Sequence, residues 1–226
     1  MVNINEYNDS VYERLQAFTT GVASLIGIPV KLEKFKGRTL KLDWDFGVIY
    51  ISTSLLKRVE KNGTKAIELM ITHELIHMMY DDDSVYDSIR NIDLKDKNIA
   101  SIASILLDVR ADVRAAELVN KIYCTDKIDM DSLMEFRRIN DRKISEEDMF
   151  KQGLMLPRNR IKIMHDCILN KKLLNSICNM YKSKGVQLND ITTYKIISYI
   201  LGNTDKAVEK SRGTGEVRHY RNKHVQ

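Results

Sequence analysis

The feature that most constrains this chain is the stretch MITHELIHMMY at residues 70–80, which contains His73, Glu74 and His77. Residues four apart share one face of a helix, so the two imidazoles are expected to point towards the same place. In this HExxH arrangement the two histidines bind zinc and the glutamate acts as general base. A helix of this kind needs a neighbouring element that completes the metal site.

A third protein ligand is expected because catalytic zinc usually takes three such ligands and keeps one position open. One known solution places a glycine three residues after the second histidine and a further histidine three residues later. Tyr80 and Asp83 occupy those two positions here. The three-histidine motif is therefore excluded, and a carboxylate from another segment becomes the expected ligand.

The segment DVRADVRAAE at residues 108–117 offers such carboxylates. Asp108 and Asp112 are four apart and share a helix face, whereas Glu117 is rotated away from them. Burying an unpaired carboxylate is costly, and a metal would explain two aligned acids on an apolar helix. Asp108 is then the predicted ligand, and Asp112 the acceptor that orients a ligand imidazole. Glu117 is the alternative ligand.

The two motifs together resemble a known group of enzymes. The pattern Asp108-x-x-Ala111-Asp112-x-x-Ala115-x-x-Leu118 is similar to the second helix of the gluzincin-like HExxH zinc metallopeptidases of the HtpX and CAAX-prenyl-protease group. The order of elements also resembles that of the small cytoplasmic ImmA/IrrE-like peptidases. The resemblance covers residues 9–120 and departs from the usual pattern at Asp108, where the group has glutamate. It implies a zincin-like core, one zinc ion per chain and peptide hydrolysis.

Hydrophobic periodicity predicts an α+β fold. A first helix should end at Gly27, strands should follow up to the run VIYIS at residues 48–52, and the two motif helices should come next. We therefore expect a small, mostly antiparallel sheet beside the motif helices. We divide the chain into a zincin-like core at residues 1–122, a helical lobe packed on it at 123–203, and a basic, flexible tail at 204–226.

Three acids, Asp81, Asp82 and Asp83, follow the HExxH helix. Negative charges are unfavourable at the negative end of a helix dipole, so the run should lie outside the helix. Acids spaced in this way can bind a cation. We interpret them instead as a solvated loop.

Composition limits the setting in which the chain works. It has 226 residues with 30% charged, and its apolar runs fall short of the roughly 20 residues that span a bilayer. The start of the chain lacks the pattern of a secretory signal. Its cysteines, Cys124, Cys167 and Cys178, form no CxxC pair, which favours reduced thiols in the core. We therefore expect a cytoplasmic protein without a membrane segment.

Charge suggests one further partner. The net charge is only +5, and the basic excess leans towards the C-terminal tail. Such a tail can make weak contacts with nucleic acid, although most modest basic tails are simply solvated.

The motif predicts a mechanism. Zinc would lower the pKa of its bound water, and Glu74 would take the proton as that water attacks a peptide carbonyl and then pass it to the leaving amine. The strand at residues 48–52, if it lies at a sheet edge, could receive an extended substrate peptide. Candidates for a residue that stabilises the oxyanion are His165, Tyr80, Tyr86, His219, Tyr220 and His224.

Other interpretations of the same residues stay open. His73 and His77 could be half-buried surface residues, with the two aspartates paired to Arg110, Arg114 or other bases. A two-histidine, one-carboxylate set can also hold Fe(II), although a helical HExxH favours zinc hydrolysis. The main prediction is a zinc metalloendopeptidase acting on a protein or peptide substrate. The alternative is a non-catalytic zincin-like binding or DNA-associated regulatory protein.

Overall fold

The computed structural model describes residues 4–37, 40–86, 97–140 and 144–211. Its strands are β1 (Lys31–Phe35), β2 (Leu40–Asp43) and β3 (Val48–Ser52). Its helices are α1 (Ile4–Ile26), α2 (Thr53–Asn62), α3 (Lys65–Tyr80), α4 (Lys97–Ile122), α5 (Met130–Asn140), α6 (Glu146–Lys151), α7 (Pro157–Asp166), α8 (Lys171–Lys182) and α9 (Asp190–Ser211), and residues 82–86 are also helical. The α+β class is confirmed, and α3 and α4 carry the two motifs.

The sheet differs from the prediction in two ways. Its order is β1-β3-β2, with β1 parallel and β2 antiparallel to β3, so it is mixed rather than mostly antiparallel. The predicted edge position of Val48–Ser52 is wrong, because β3 lies in the centre and both of its edges are paired. The run VIYIS is almost continuously buried, as is typical of a strand covered on both sides.

The two edges of the sheet have different neighbours. On the β1 side, the Tyr12 hydroxyl donates to the Leu32 carbonyl at 2.8 Å, and the Gln16 amide approaches the same oxygen at 3.4 Å. Side chains of α1 therefore cover the outer edge of β1 at this point. The opposite edge is β2, which leads directly into Trp44.

Helix α4 lies at the centre of the helical part of the molecule. Sixteen of its residues are buried, and α3 packs along it. Residues of α7, α8 and α9, such as Ile163, Leu174 and Ile197, share a hydrophobic cluster with α4. A second cluster joins α1, β3 and α3 through Leu15, Ile49 and similar side chains. The C-terminal helices thus pack against the helix that carries Asp108 and Asp112.

Two further expectations concern the C-terminal segment and membrane-spanning helices. Helix α9 continues to Ser211, past residue 204 where the sequence predicts a tail. The rest of the predicted basic tail, with His219, Tyr220 and His224, lies outside the described residues. Within the described part of the chain, no helix is both long and apolar enough to cross a membrane.

Candidate metal centre

Three side chains from α3 and α4 converge on one point. The Nε2 atoms of His73 and His77 lie 2.9 Å apart. The Oδ1 atom of Asp108 lies 3.3 Å from Nε2 of His77 and 3.8 Å from Nε2 of His73. The i, i+4 spacing on α3 aligns the imidazoles, and the packing of α4 against α3 supplies the carboxylate.

These distances fit a small cation. Zinc ligands at 2.0–2.2 Å in a tetrahedral arrangement lie about 3.3 Å from one another. The three observed separations, 2.9, 3.3 and 3.8 Å, bracket that value. Two imidazole nitrogens and one carboxylate oxygen are also a donor set that zinc accepts.

The other nitrogen of each imidazole faces a carboxylate. The Nδ1 atom of His73 lies 2.9 Å from Oδ1 of Asp112, and Nδ1 of His77 lies 2.7 Å from Oδ2 of Asp82. When each Nδ1 donates its proton to the adjacent carboxylate, each Nε2 presents a lone pair towards the other and towards Asp108. Three electron-rich atoms facing one another favour a cation between them.

The position of Asp82 corrects the expectation of a solvated loop. Helix α3 ends at Tyr80 because Asp81 adopts a left-handed conformation with φ of 54°, and its N–H donates to the carbonyls of the last turn. The chain then turns back into the short helix at residues 82–86, and Asp82 is only 4% exposed. Asp81 and Asp83 remain exposed, as a solvated run predicts.

Each of these supporting carboxylates pairs with an arginine. Asp112 accepts two hydrogen bonds of 2.7 Å from Arg160, which comes from α7. Asp82 pairs with Arg110, whose side chain is completely buried. The centre of the Arg110 guanidinium lies 4.1 Å from the centroid of the Tyr80 ring. The two histidines therefore each have an aspartate and an arginine behind them.

Arg160 also lies close to two of the candidate ligands. One of its terminal nitrogens lies 3.5 Å from Nδ1 of His73, and the other lies 3.8 Å from Oδ2 of Asp108. The sequence left open that Arg110, Arg114 or another base pairs with Asp108 and Asp112, and in the structure that base is Arg160. Arg114 instead binds Glu117 at 2.7 Å. Apart from Pro157 at the start of α7, no sequence signal marks Arg160.

The charges of the site shift its pKa values. Burial lowers the pKa of His77, but hydrogen bonds to Asp108 and Asp82 outweigh it and raise this pKa to about 10. Burial raises the pKa of Asp108, but the charge of Arg160 and the adjacent histidines hold it well below its usual range. The raised pKa of His77 thus favours a protonated imidazole, whose positive charge lies between the carboxylates of Asp108 and Asp82.

Glu74 lies on α3 one residue after His73 and is half-buried. Burial lowers the pKa of Arg160, while Asp112, Asp108 and, more weakly, Glu74 raise it, and the net result is a raised pKa. The carboxylate of Glu74 is thus close enough to Arg160 to interact with it electrostatically. Glu74 does not belong to the group of three converging side chains.

The remaining sequence candidates lie in other environments. Glu117 binds Arg114 and is not part of the converging group. The ring of His165 is more than a third exposed and contacts Asp166 at 3.4 Å. Tyr80 is buried, and its hydroxyl has no hydrogen-bond partner within the described ranges. Tyr86 lines a pocket beside His77.

Comparisons with protein-family models, with curated proteins and with solved structures gave no significant match to this chain.

Proposed function

We propose that the protein is a zinc-dependent metallopeptidase in which His73, His77 and Asp108 hold the metal and Glu74 is the general base. The observation that supports the proposal is the convergence of two Nε2 atoms and one carboxylate oxygen, whose separations of 2.9, 3.3 and 3.8 Å bracket the spacing of ligands around a tetrahedral ion. The carboxylates on both Nδ1 atoms add support, because metal-binding histidines usually donate to such acceptors.

The chemistry divides between the metal and the chain. A zinc ion held by His73, His77 and Asp108 would act as a Lewis acid and would make a water molecule nucleophilic near neutral pH. Glu74 would accept the proton of that water as it attacks a peptide carbonyl, and would then donate it to the leaving amine. Asp112 and Asp82 would keep both imidazoles oriented throughout.

An extended substrate peptide would have to pair with a strand other than β3, the strand that the sequence indicates. Because β3 is central and α1 covers β1 at Leu32, β2 is the edge on which an extended peptide would add. Trp44 follows β2 directly, and its ring centroid lies 6.5 Å from that of His77. A peptide paired with β2 would therefore run past the cluster.

The test compares the wild type with Glu74→Gln on a mixed peptide library, with zinc content measured on both proteins. The proposal expects one zinc per chain in each protein, cleavage by the wild type, and a loss of at least about a hundredfold in cleavage rate in Glu74→Gln. Glu117→Gln is the matched control, because Glu117 lies outside the cluster. Cleavage that is indifferent to Glu74, or no zinc in protein prepared without chelator, would refute the proposal.

A further inference from the structure

A pocket of about 240 Å³ opens beside the candidate metal centre. Two of the candidate ligands, His77 and Asp108, form part of its wall. Trp44, Tyr86 and Leu107 line it as well, together with Ser104. A group that occupies this pocket would therefore lie next to whatever the metal holds.

The walls of the pocket are largely aromatic and apolar. Trp44 is half-buried, and its ring meets that of His77 at an interplanar angle of 62°. Tyr86 packs against the hydrophobic cluster around α4, and Leu107 is only 3% exposed. Two of these walls thus belong to elements that the core holds in place.

Two acids in the pocket wall have positively charged partners. Asp82 binds His77 and Arg110, and Asp108 lies near His77 and Arg160. Asp83 also lines the pocket, at an exposed position. Since Asp82 and Asp108 already have arginine partners, the chemistry of the pocket favours an apolar occupant over a cationic one.

The volume is sufficient for an aromatic ring. An apolar cavity of roughly 150 Å³ can hold benzene, so this pocket has room for a benzyl or indole group. Aromatic pairs in edge-to-face geometry gain affinity beyond the area that they bury. We propose that the pocket is a subsite for an aromatic side chain of the peptide substrate, next to the bond that is cleaved. This inference rests on the proposed peptidase function.

The chain contains its own reporter for the test. Trp44 is the single tryptophan of the sequence, so its fluorescence reports on this pocket alone. The probes are phenylalanine hydroxamate and cyclohexylalanine hydroxamate, which share a metal-binding group and differ in aromaticity at nearly the same size. The zinc-loaded protein is titrated with each while the fluorescence of Trp44 is followed.

We expect the phenylalanine compound to bind roughly two- to tenfold more tightly. Tyr86→Leu, which keeps an apolar wall but removes the ring, should lose most of that preference. Tyr194→Leu is the matched control, because Tyr194 is an exposed tyrosine on α9 outside the pocket lining, and the preference should persist in it. Trp44→Leu, followed by calorimetry, should also lose the preference.

Equal affinity for the two hydroxamates, or a preference unchanged in both Tyr86→Leu and Trp44→Leu, would overturn the subsite while leaving the peptidase proposal intact. If the protein holds no zinc, the peptidase proposal fails instead. The N-acetyl amides of the same two amino acids, which have no metal-binding group, then test the pocket on metal-free protein. An aromatic preference supports an aromatic site, and equal binding refutes it.

Discussion

The two histidines of the motif have similar supports but different surroundings. Behind His73, Asp112 is held through both oxygens by Arg160, and α7 closes this side of the cluster. Behind His77, Asp82 is held by Arg110, and the ring itself lines the open pocket with Trp44. One side of the site is therefore covered by α7, and the other borders a pocket.

This difference suggests different roles for the two histidines of the motif. On the side of His73, a paired carboxylate and a fixed imidazole would favour a constant geometry of the proposed metal. On the side of His77, a side chain of the proposed substrate could approach that metal. The supporting arginines differ as well, since Arg110 has no exposed surface and Arg160 retains a small exposed fraction of 12%.

The largest effect on stability should come from the open side. Asp82→Asn removes the carboxylate that pairs with the fully buried Arg110. We expect a loss of about 3–5 kcal/mol in the free energy of unfolding, measured by urea denaturation of metal-free protein. Asp83→Asn, at the exposed neighbouring position, should cost less than about 1 kcal/mol.

The double variant Asp82→Asn with Arg110→Met tests whether the unpaired charge of Arg110 causes the loss of stability in Asp82→Asn. An apolar side chain of similar length leaves no uncompensated charge, so it should recover most of the stability lost by Asp82→Asn. No recovery in the double variant would show that the loss does not come from the stranded arginine.

The equivalent change behind His73, Asp112→Asn, should reduce the free energy of unfolding by less. Asp112→Asn weakens the two hydrogen bonds from Arg160, but that guanidinium keeps Asp108 at 3.8 Å. We expect a loss of about 2–3 kcal/mol in the same denaturation assay. A loss larger than that of Asp82→Asn would reverse the comparison between the two sides.

Zinc affinity should depend on how Arg160 binds and not only on its charge. Lysine keeps the charge but cannot form the two parallel hydrogen bonds to Asp112. Arg160→Lys should therefore weaken zinc binding about tenfold, as measured by competition with a chromogenic chelator. Arg158→Lys, at an exposed position of the same helix, should leave the affinity unchanged.

The smallest effects should come from residues outside the cluster. Glu117→Gln and His165→Ala should change zinc affinity by less than about twofold, because neither side chain belongs to the converging group. A large loss of zinc in Glu117→Gln would instead make Glu117 the third ligand.

The sequence predicted what local spacing controls. His73 and His77 are four residues apart, as are Asp108 and Asp112. This spacing places the two members of each pair on one face of their helix. The helices themselves follow from apolar periodicity. The convergence of the two pairs in the structure requires only that α3 and α4 pack together, which their apolar faces favour.

Contacts between distant segments could not be predicted in this way. Arg160 is 48 residues from Asp112, and only the packing of α7 on α4 brings them together. The sequence predicted that Asp82 is solvated because its neighbours Asp81 and Asp83 are also acids. In the structure, the chain adopts a left-handed conformation at Asp81, and Asp82 is buried. The central position of β3 was not predicted either, because the strands that pair with it are set by contacts between distant segments.

The most direct test of the metal centre is X-ray absorption at the zinc edge on wild-type protein loaded with one equivalent of zinc. We predict two imidazole nitrogens and oxygen ligands at about 2.0–2.2 Å, with no sulfur in the coordination sphere. The imidazole signal should fall in His77→Ala. A zinc environment without imidazole, or one that is the same in His77→Ala, would contradict the assignment of His73, His77 and Asp108.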